Sequence, residues 1–170
     1  MPIAQTKTAL TVLVDTREQL PYTFAGIKDR RGCPVRCQRA TLTVGDYSIA
    51  GGSIGNGKDQ QPRQLPIAIE RKSKADLYGS LGRGRARLAR EFERARDGGI
   101  QYLALVIESD LLGLRQPPSH CSGMNPTSVI RTLAAWSVRY NLHVWTPGPR
   151  EAAERWTWRL LQFYGEQYHD

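Results

Sequence analysis

The stretch Pro66-Ile67-Ala68-Ile69-Glu70-Arg71-Lys72-Ser73-Lys74-Ala75-Asp76 decides how this chain is read. Its first half is short and apolar, as a buried strand is, and its proline belongs at the strand's start. Its second half turns polar and opens a helix near Ser73. Residues i and i+2 of a strand share a face, so Glu70 and Lys72 project together while Arg71 faces the other way with Ile67 and Ile69. A carboxylate beside an ammonium at the end of an apolar strand is costly to desolvate unless the pair serves a metal or a substrate.

The flanking sequence supplies partners for this strand. Upstream, Thr11-Val12-Leu13-Val14 reads as a buried strand ending in Asp15-Thr16-Arg17-Glu18. Residues 35–50 alternate loosely and predict paired strands with a turn or bulge at Gly45, just before Asp46. Residues 51–64, rich in Gly, Gln and Lys, read as an exposed, mobile loop. Downstream, a helix over Arg85–Asp97 is stopped by Gly98-Gly99, and Tyr102–Glu108 is an apolar strand of the kind buried on both faces. Residues 115–126 form a loop. A helix from Pro126 or Thr127 to Tyr140 aligns Val129 or Ile130, Leu133, Trp136 and Tyr140 along one side. Leu142–Trp145 is a short strand closed by Pro147-Gly148-Pro149, and a last helix covers Arg150–Gly165. Strands alternating with helices predict an α/β domain of three layers, with a central mixed sheet flanked by helices. The expectation is one domain over residues 1–170: a motif-bearing catalytic part, 11–110, and a helical part, 126–166, that completes the core.

Composition narrows the function. The 170 residues carry 24 Lys and Arg against 16 Asp and Glu, a net charge of +8. Residues 1–69 and 70–97 each carry nine basic and five acidic groups, whereas residues 98–170 carry six of each. A basic half and a neutral half imply one face for a polyanion and another that packs or pairs with protein. No apolar run approaches the ~20 residues that span a bilayer. Met1-Pro2-Ile3-Ala4-Gln5 lacks the features of a secretory signal, and three cysteines cannot all pair within the chain. The expected location is therefore intracellular and cytoplasmic, or with the nucleoid in a bacterial or viral setting, with no membrane partner and no organic cofactor.

If the strands bearing Asp15, Asp46 and Glu70 adjoin, three carboxylates and Lys72 converge. Clustered hard oxygen ligands repel one another unless a cation such as Mg²⁺ or Mn²⁺ neutralises them. Such an ion activates water and stabilises charge on a phosphate, while Lys72 orients the nucleophile or stabilises the charge. That combination describes a metal-dependent phosphodiesterase.

The order Val14-Asp15-Thr16-Arg17-Glu18, Gly45-Asp46-Tyr47, then Glu70-Arg71-Lys72-Ser73-Lys74-Ala75-Asp76 resembles the nuclease signature of the XPF-type structure-specific endonucleases. Both the V-D-x-R-E and the G-D…E-R-K-x-x-x-D patterns are matched, and Leu77-Tyr78-Gly79-Ser80-Leu81 and Gly84-Arg85 continue the likeness through most of residues 11–110. The resemblance implies a restriction-endonuclease-like fold and divalent-metal-dependent cleavage of branched or flapped duplex DNA in recombination, repair or replication. It implies Asp46 and Glu70 as metal ligands, Asp15 as a third or water-mediated one, and Lys72 as the catalytic lysine. Arg17, Glu18, Arg71 and Asp76 match motif positions that support the site or touch DNA. It also implies a homodimer formed through the nuclease domain. No tandem helix-hairpin-helix module follows and no helicase precedes, so the expectation is a stand-alone nuclease domain, with a partner protein that could supply DNA binding.

Plainer readings stand beside these. Ser73-Lys74-Ala75-Asp76 has the spacing of a helix cap, which for Asp76 outweighs a direct catalytic role. Arg83, Arg87, Arg90 and Arg94 are spaced to stripe the second helix opposite Leu88, Phe92 and Ala95. With Lys74 and Arg85 they are the expected DNA contacts, against a solvated face softened by Glu91 and Glu93. Cys33, Cys37 and His120-Cys121 invite a zinc reading that is weaker than simple packing. His143 reads as a core histidine. Trp156 and Trp158 lie two apart on a helix, so one must look outward, as a dimer interface would need. The rival functions are a catalytically silent DNA-binding scaffold and a nuclease of RNA or single strands.

Overall fold

A computed structural model describes residues 10–54 and 61–168, so the segment Met1–Gln5 and the centre of the 51–64 loop lie outside the described residues. Seven strands form one mixed sheet in the order β2-β1-β3-β5-β6-β7, with β4 paired to β3. They are β1 (Thr11–Asp15), β2 (Arg36–Ala40), β3 (Tyr47–Ile54), β4 (Gln61–Gln64), β5 (Ile67–Ser73), β6 (Tyr102–Glu108) and β7 (Leu142–Trp145). Four helices cover the faces: α1 (Lys74–Gly82), α2 (Arg85–Asp97), α3 (Pro126–Tyr140) and α4 (Arg150–Tyr168). This is the α/β architecture expected, with its mixed central sheet between helical layers.

The two-residue alternation of each central strand decides the layers. Ala68, Leu103, Leu105 and Ile107 pack against Leu77, Leu88, Phe92, Leu133 and Trp136 from α1, α2 and α3. Ile67, Ile69, Ala104 and Val106 face the opposite way, onto Ala153, Trp158 and Leu161 of α4 and onto Tyr22 and Phe24. Because β1 is antiparallel to β3 and β3 to β5, the C-terminal ends of β1 and β5 meet the start of β3 at one edge. The chemistry-bearing residues gather there.

Several local expectations need correction. The strands within residues 35–50 do not pair with each other: β2 lies parallel to β1 on its outer side, while β3 pairs antiparallel to its inner side. A turn at Gly45 alone did not reveal that a third strand separates them. The segment 51–64 is not simply a loop, because β3 runs to Ile54 and pairs with β4 through an irregular register. Arg83 caps the end of α1 and does not belong to α2. Cys33 and Cys37 are exposed rather than packed, while Cys121 is half-buried against the core. His143 is only half-buried, its ring stacked on Tyr102 at 4.3 Å. Helix α4 continues past Gly165 to Tyr168. Its two tryptophans divide as the spacing requires, with Trp158 buried and Trp156 at 37% exposure.

Candidate active site

Asp46 is held where three strands meet. Gly45 precedes it at φ +79°, and a Cβ there would lie 3.1 Å from the Ile69 carbonyl and 3.2 Å from Ala68 Cβ. Only glycine takes that conformation without strain, which lets the chain press against β5. The Asp46 amide donates to the Ile69 carbonyl at 2.8 Å, and the Asp46 carbonyl accepts from the Asp15 amide at 2.8 Å. Its Oδ2 accepts from the Arg71 amide at 2.7 Å. Asp46 thus ties β1 to β5 through backbone and side chain together.

Glu70 and Lys72 leave β5 on the same side, and Lys72 Nζ donates to Glu70 Oε1 at 2.7 Å. Burial raises the Asp46 pKa to about 8, helped by the charge of Glu70 nearby. Burial likewise pushes Glu70 up, against the pull of Lys72. Lys72 is driven down by burial, but Glu70 and Asp46 outweigh this and hold the ammonium above its usual range. Two half-buried carboxylates that resist ionising together mark a place where a cation relieves both.

Asp15 lies in the same cleft but is already satisfied. Its Oδ1 accepts from the Arg17 amide at 2.8 Å and Arg17 Nε at 2.7 Å; its Oδ2 accepts from Arg17 Nη2 at 3.1 Å and the Leu42 amide at 2.8 Å. Burial would raise its pKa, but these donors lower it on balance. Asp46 Oδ1 and Glu70 Oε2 have no protein donor among the described residues, and among those residues no three Asp, Glu, His or Cys side chains enclose an ion by themselves. The donor set still fits Mg²⁺, which keeps several waters and takes one or two carboxylates together with substrate phosphate.

The cleft, about 320 Å³, is walled by Arg17, by Gly45 and Asp46, by Glu70 and Lys72, and by Arg87, Glu91 and Arg94 of α2. Glu91 was read in the sequence only as diluting the arginine stripe. The spacing Arg87, Glu91, Arg94 is four and then three residues, one helical face, and that signal places all three together. Arg90 lies with Arg87 and Arg94 in a neighbouring groove, and Arg85 is exposed at the first residue of α2. Lys74 is half-buried and its amine meets the Gly113 carbonyl at 3.5 Å.

Arg71 points through the sheet to the other face, as strand alternation requires. Its guanidinium pairs with Glu108 at 2.9 Å and Glu18 at 3.4 Å, and Glu108 also takes Arg150 at 2.8 Å. Arg150 donates in turn to the Leu20 and Pro21 carbonyls. Glu18 and Arg71 therefore support the site from behind, joined by Glu108 and Arg150, which the sequence reading did not single out. Asp76 sits outside this cleft: its amide donates to Ser73 Oγ at 3.0 Å, and its Oδ2 accepts from the same hydroxyl at 2.7 Å. That is a helix cap, on an exposed residue.

With this geometry in place, the comparison with known proteins is direct. The ERCC4 domain model matches residues 14–157. The chain belongs to the ERCC4 domain family. This ERCC4 domain shares its fold with XPF from Aeropyrum pernix at 19% identity and a TM-score of 0.63, over 89% of this chain and 65% of that one. A second structure, XPF from Aeropyrum pernix in complex with DNA, gives 19% identity and a TM-score of 0.62, over 92% and 66%. The chain thus spans just under two thirds of the length of these proteins. No curated protein matches it in sequence. Family and fold agree with the resemblance seen in the motifs, and the ERCC4 family is one of nucleases.

Proposed function

We propose that this ERCC4 domain is a divalent-metal-dependent endonuclease that hydrolyses phosphodiester bonds in branched, flap or junction DNA. The observation that carries this reading is the half-buried pair of carboxylates, Asp46 and Glu70, beside Lys72 in a cleft walled by Arg87 and Arg94. A scaffold without activity has no use for two poorly solvated carboxylates that destabilise one another.

Asp46 Oδ1 and Glu70 Oε2 would hold Mg²⁺ or Mn²⁺, with Asp15 reaching it through water because its own oxygens are filled. When bound, such an ion would supply a polarised water and neutralise charge at the scissile phosphate. Lys72 remains an ammonium, so it donates hydrogen bonds to the phosphate or its nucleophile instead of removing a proton. Arg87 and Arg94 position the strand by its phosphates, which carries no sequence information; selectivity then comes from DNA shape. Arg17 fixes Asp15, while the Arg71 amide fixes Asp46.

The test is cleavage of end-labelled flap, fork, four-way junction and linear duplex DNA with Mg²⁺, Mn²⁺ or EDTA. Metal-dependent cutting near the branch is expected, and Lys72→Ala and Asp46→Asn should each slow it by about 10²–10³-fold without loss of fold. Tight binding with no cutting in either metal would overturn the enzymatic reading in favour of a silent scaffold.

A further inference from the structure

A second chamber opens on the other side of Lys72, and the reaction just proposed does not use it. It measures about 440 Å³ and shares Lys72 and Arg87 with the proposed catalytic cleft, so these two side chains border both spaces. Ala75, Gly79 and Gly84 line it with little more than backbone. A Cβ at Gly79 would meet nothing within 4 Å, so a flat group can approach α1 closely there. Asp76 and Ser80 add polar side chains, and His120 joins the wall from a 3₁₀ turn at Ser119–Cys121 that is remote in sequence.

That turn is fixed against the rest of the site. Cys121 and Met124 pack on the hydrophobic core, and Met124 reaches Gly82, where a Cβ would lie 3.3 Å from its methyl. Tyr78 in α1 donates to the Leu114 carbonyl at 2.5 Å, which holds the start of the same loop. His120 is nonetheless exposed, with neither a metal partner nor a core to fill.

The character of the walls selects the occupant. Asp76 borders the chamber and disfavours a second phosphate, while accepting hydrogens from an amino group. A floor with few side chains and an exposed imidazole on the same space suit a planar ring, because a base offers a π-face to an aromatic side chain whatever its identity. The volume lies within the range of small-ligand pockets. We propose that this chamber receives the base of an unpaired nucleotide next to the scissile phosphate, with His120 stacking on it and Arg87 holding the phosphate between the two spaces. Branched DNA presents such nucleotides at the junction, whereas paired duplex would have to unstack one. This inference rests on the endonuclease reading and specifies which nucleotide accompanies the phosphate.

The experiment uses forked DNA carrying 2-aminopurine, or an abasic residue, at each of the first unpaired positions beside the branch. Binding is read in EDTA by 2-aminopurine fluorescence, and cleavage is read with Mn²⁺. In wild type, one position should show quenched fluorescence on binding and about ten-fold slower cleavage when abasic. His120→Ala should lose the quench at that position and cut normal and abasic forks at the same reduced rate. Gly79→Leu, which fills the chamber from a site with open space around it, should do the same while keeping the melting temperature. Fluorescence unchanged between wild type and both variants, with equal cutting of abasic and normal forks, would overturn the chamber and leave the endonuclease standing. If no fork is cut, the endonuclease reading falls and the fluorescence arm alone decides: the position-specific quench, lost in His120→Ala, supports a base site, and its absence overturns one.

Discussion

Asp46 is stabilised by its setting only while it carries a proton. Its folded pKa of about 8 lies above the ordinary aspartate value of 3.8, because burial and then Glu70 oppose ionisation. The folded state therefore binds the proton more tightly than the unfolded chain. That contribution is complete below pH ~4 and is lost as pH rises toward and through about 8. In EDTA at pH 8.5, Asp46→Asn should melt about 4–8 °C above wild type, taking ~2 kcal/mol at ~2–4 °C per kcal/mol. The advantage should vanish near pH 4, and Mn²⁺ should close it at pH 8.5 by stabilising wild type. Equal melting in EDTA at both pH values would show that Asp46 is not under this strain. Gly45 makes a complementary test, since the left-handed φ and the contact with Ile69 both resist a side chain. Gly45→Ala should lower stability by about 2–4 kcal/mol in urea unfolding, from backbone strain and overpacking together.

At the scale of elements, α2 has one greasy side and one electrostatic side. Leu88, Phe92 and Ala95 are buried, which turns Arg87, Glu91 and Arg94 toward the cleft. If Arg87 and Arg94 each neutralise one phosphate, replacing both with Gln should reduce the slope of log affinity against log salt by about 1.8. An unchanged slope, measured by fluorescence anisotropy across a salt titration, would make the helix face merely solvated. Strand β5 was legible because two-residue alternation and the short motif spacing coincide in Glu70-Arg71-Lys72. The β3–β4 pair was not legible, since Gly-Gly and Gln-rich stretches carry little alternation and their pairing depends on backbone register. Glu108 gave no local signal either: its role as the shared acceptor of Arg71 and Arg150 arises only where β6 lies beside β5 and α4 begins above both.

Across the whole molecule, charge and apolarity separate. The arginine-walled cleft opens at one edge of the sheet, whereas α4 presents an apolar groove of about 300 Å³ lined by Tyr102, Trp156, Leu160, Phe163 and Tyr164. The Trp156 ring packs tilted against Trp145, with centroids 5.0 Å apart, and Phe163 is 51% exposed. We propose that a second copy of this chain covers that groove, in the region where residues 98–170 carry no net charge. Sedimentation equilibrium should show a dimer that Phe163→Glu converts to monomer, with the melting temperature of the monomer little changed because the side chain is outside the core. A monomer at high concentration in wild type would remove this assignment. Among the described residues, no helix is long and apolar enough to cross a membrane.

The sequence by itself determined the α/β class, the strand carrying Glu70 and Lys72, the glycine ahead of Asp46, and the family, because periodicity and close spacing are local properties that survive without coordinates. It also separated Trp156 from Trp158 by helix geometry alone. Tertiary structure alone shows that β2 and β3 flank β1, that Asp15 has its oxygens already filled, that Glu91 faces the cleft holding Asp46 and Glu70, and that His120 borders the space beside it. Each of those depends on where distant segments meet: strand order follows from burying both faces of a sheet at once, and a side chain's free lone pairs depend on which backbone donors arrive beside it.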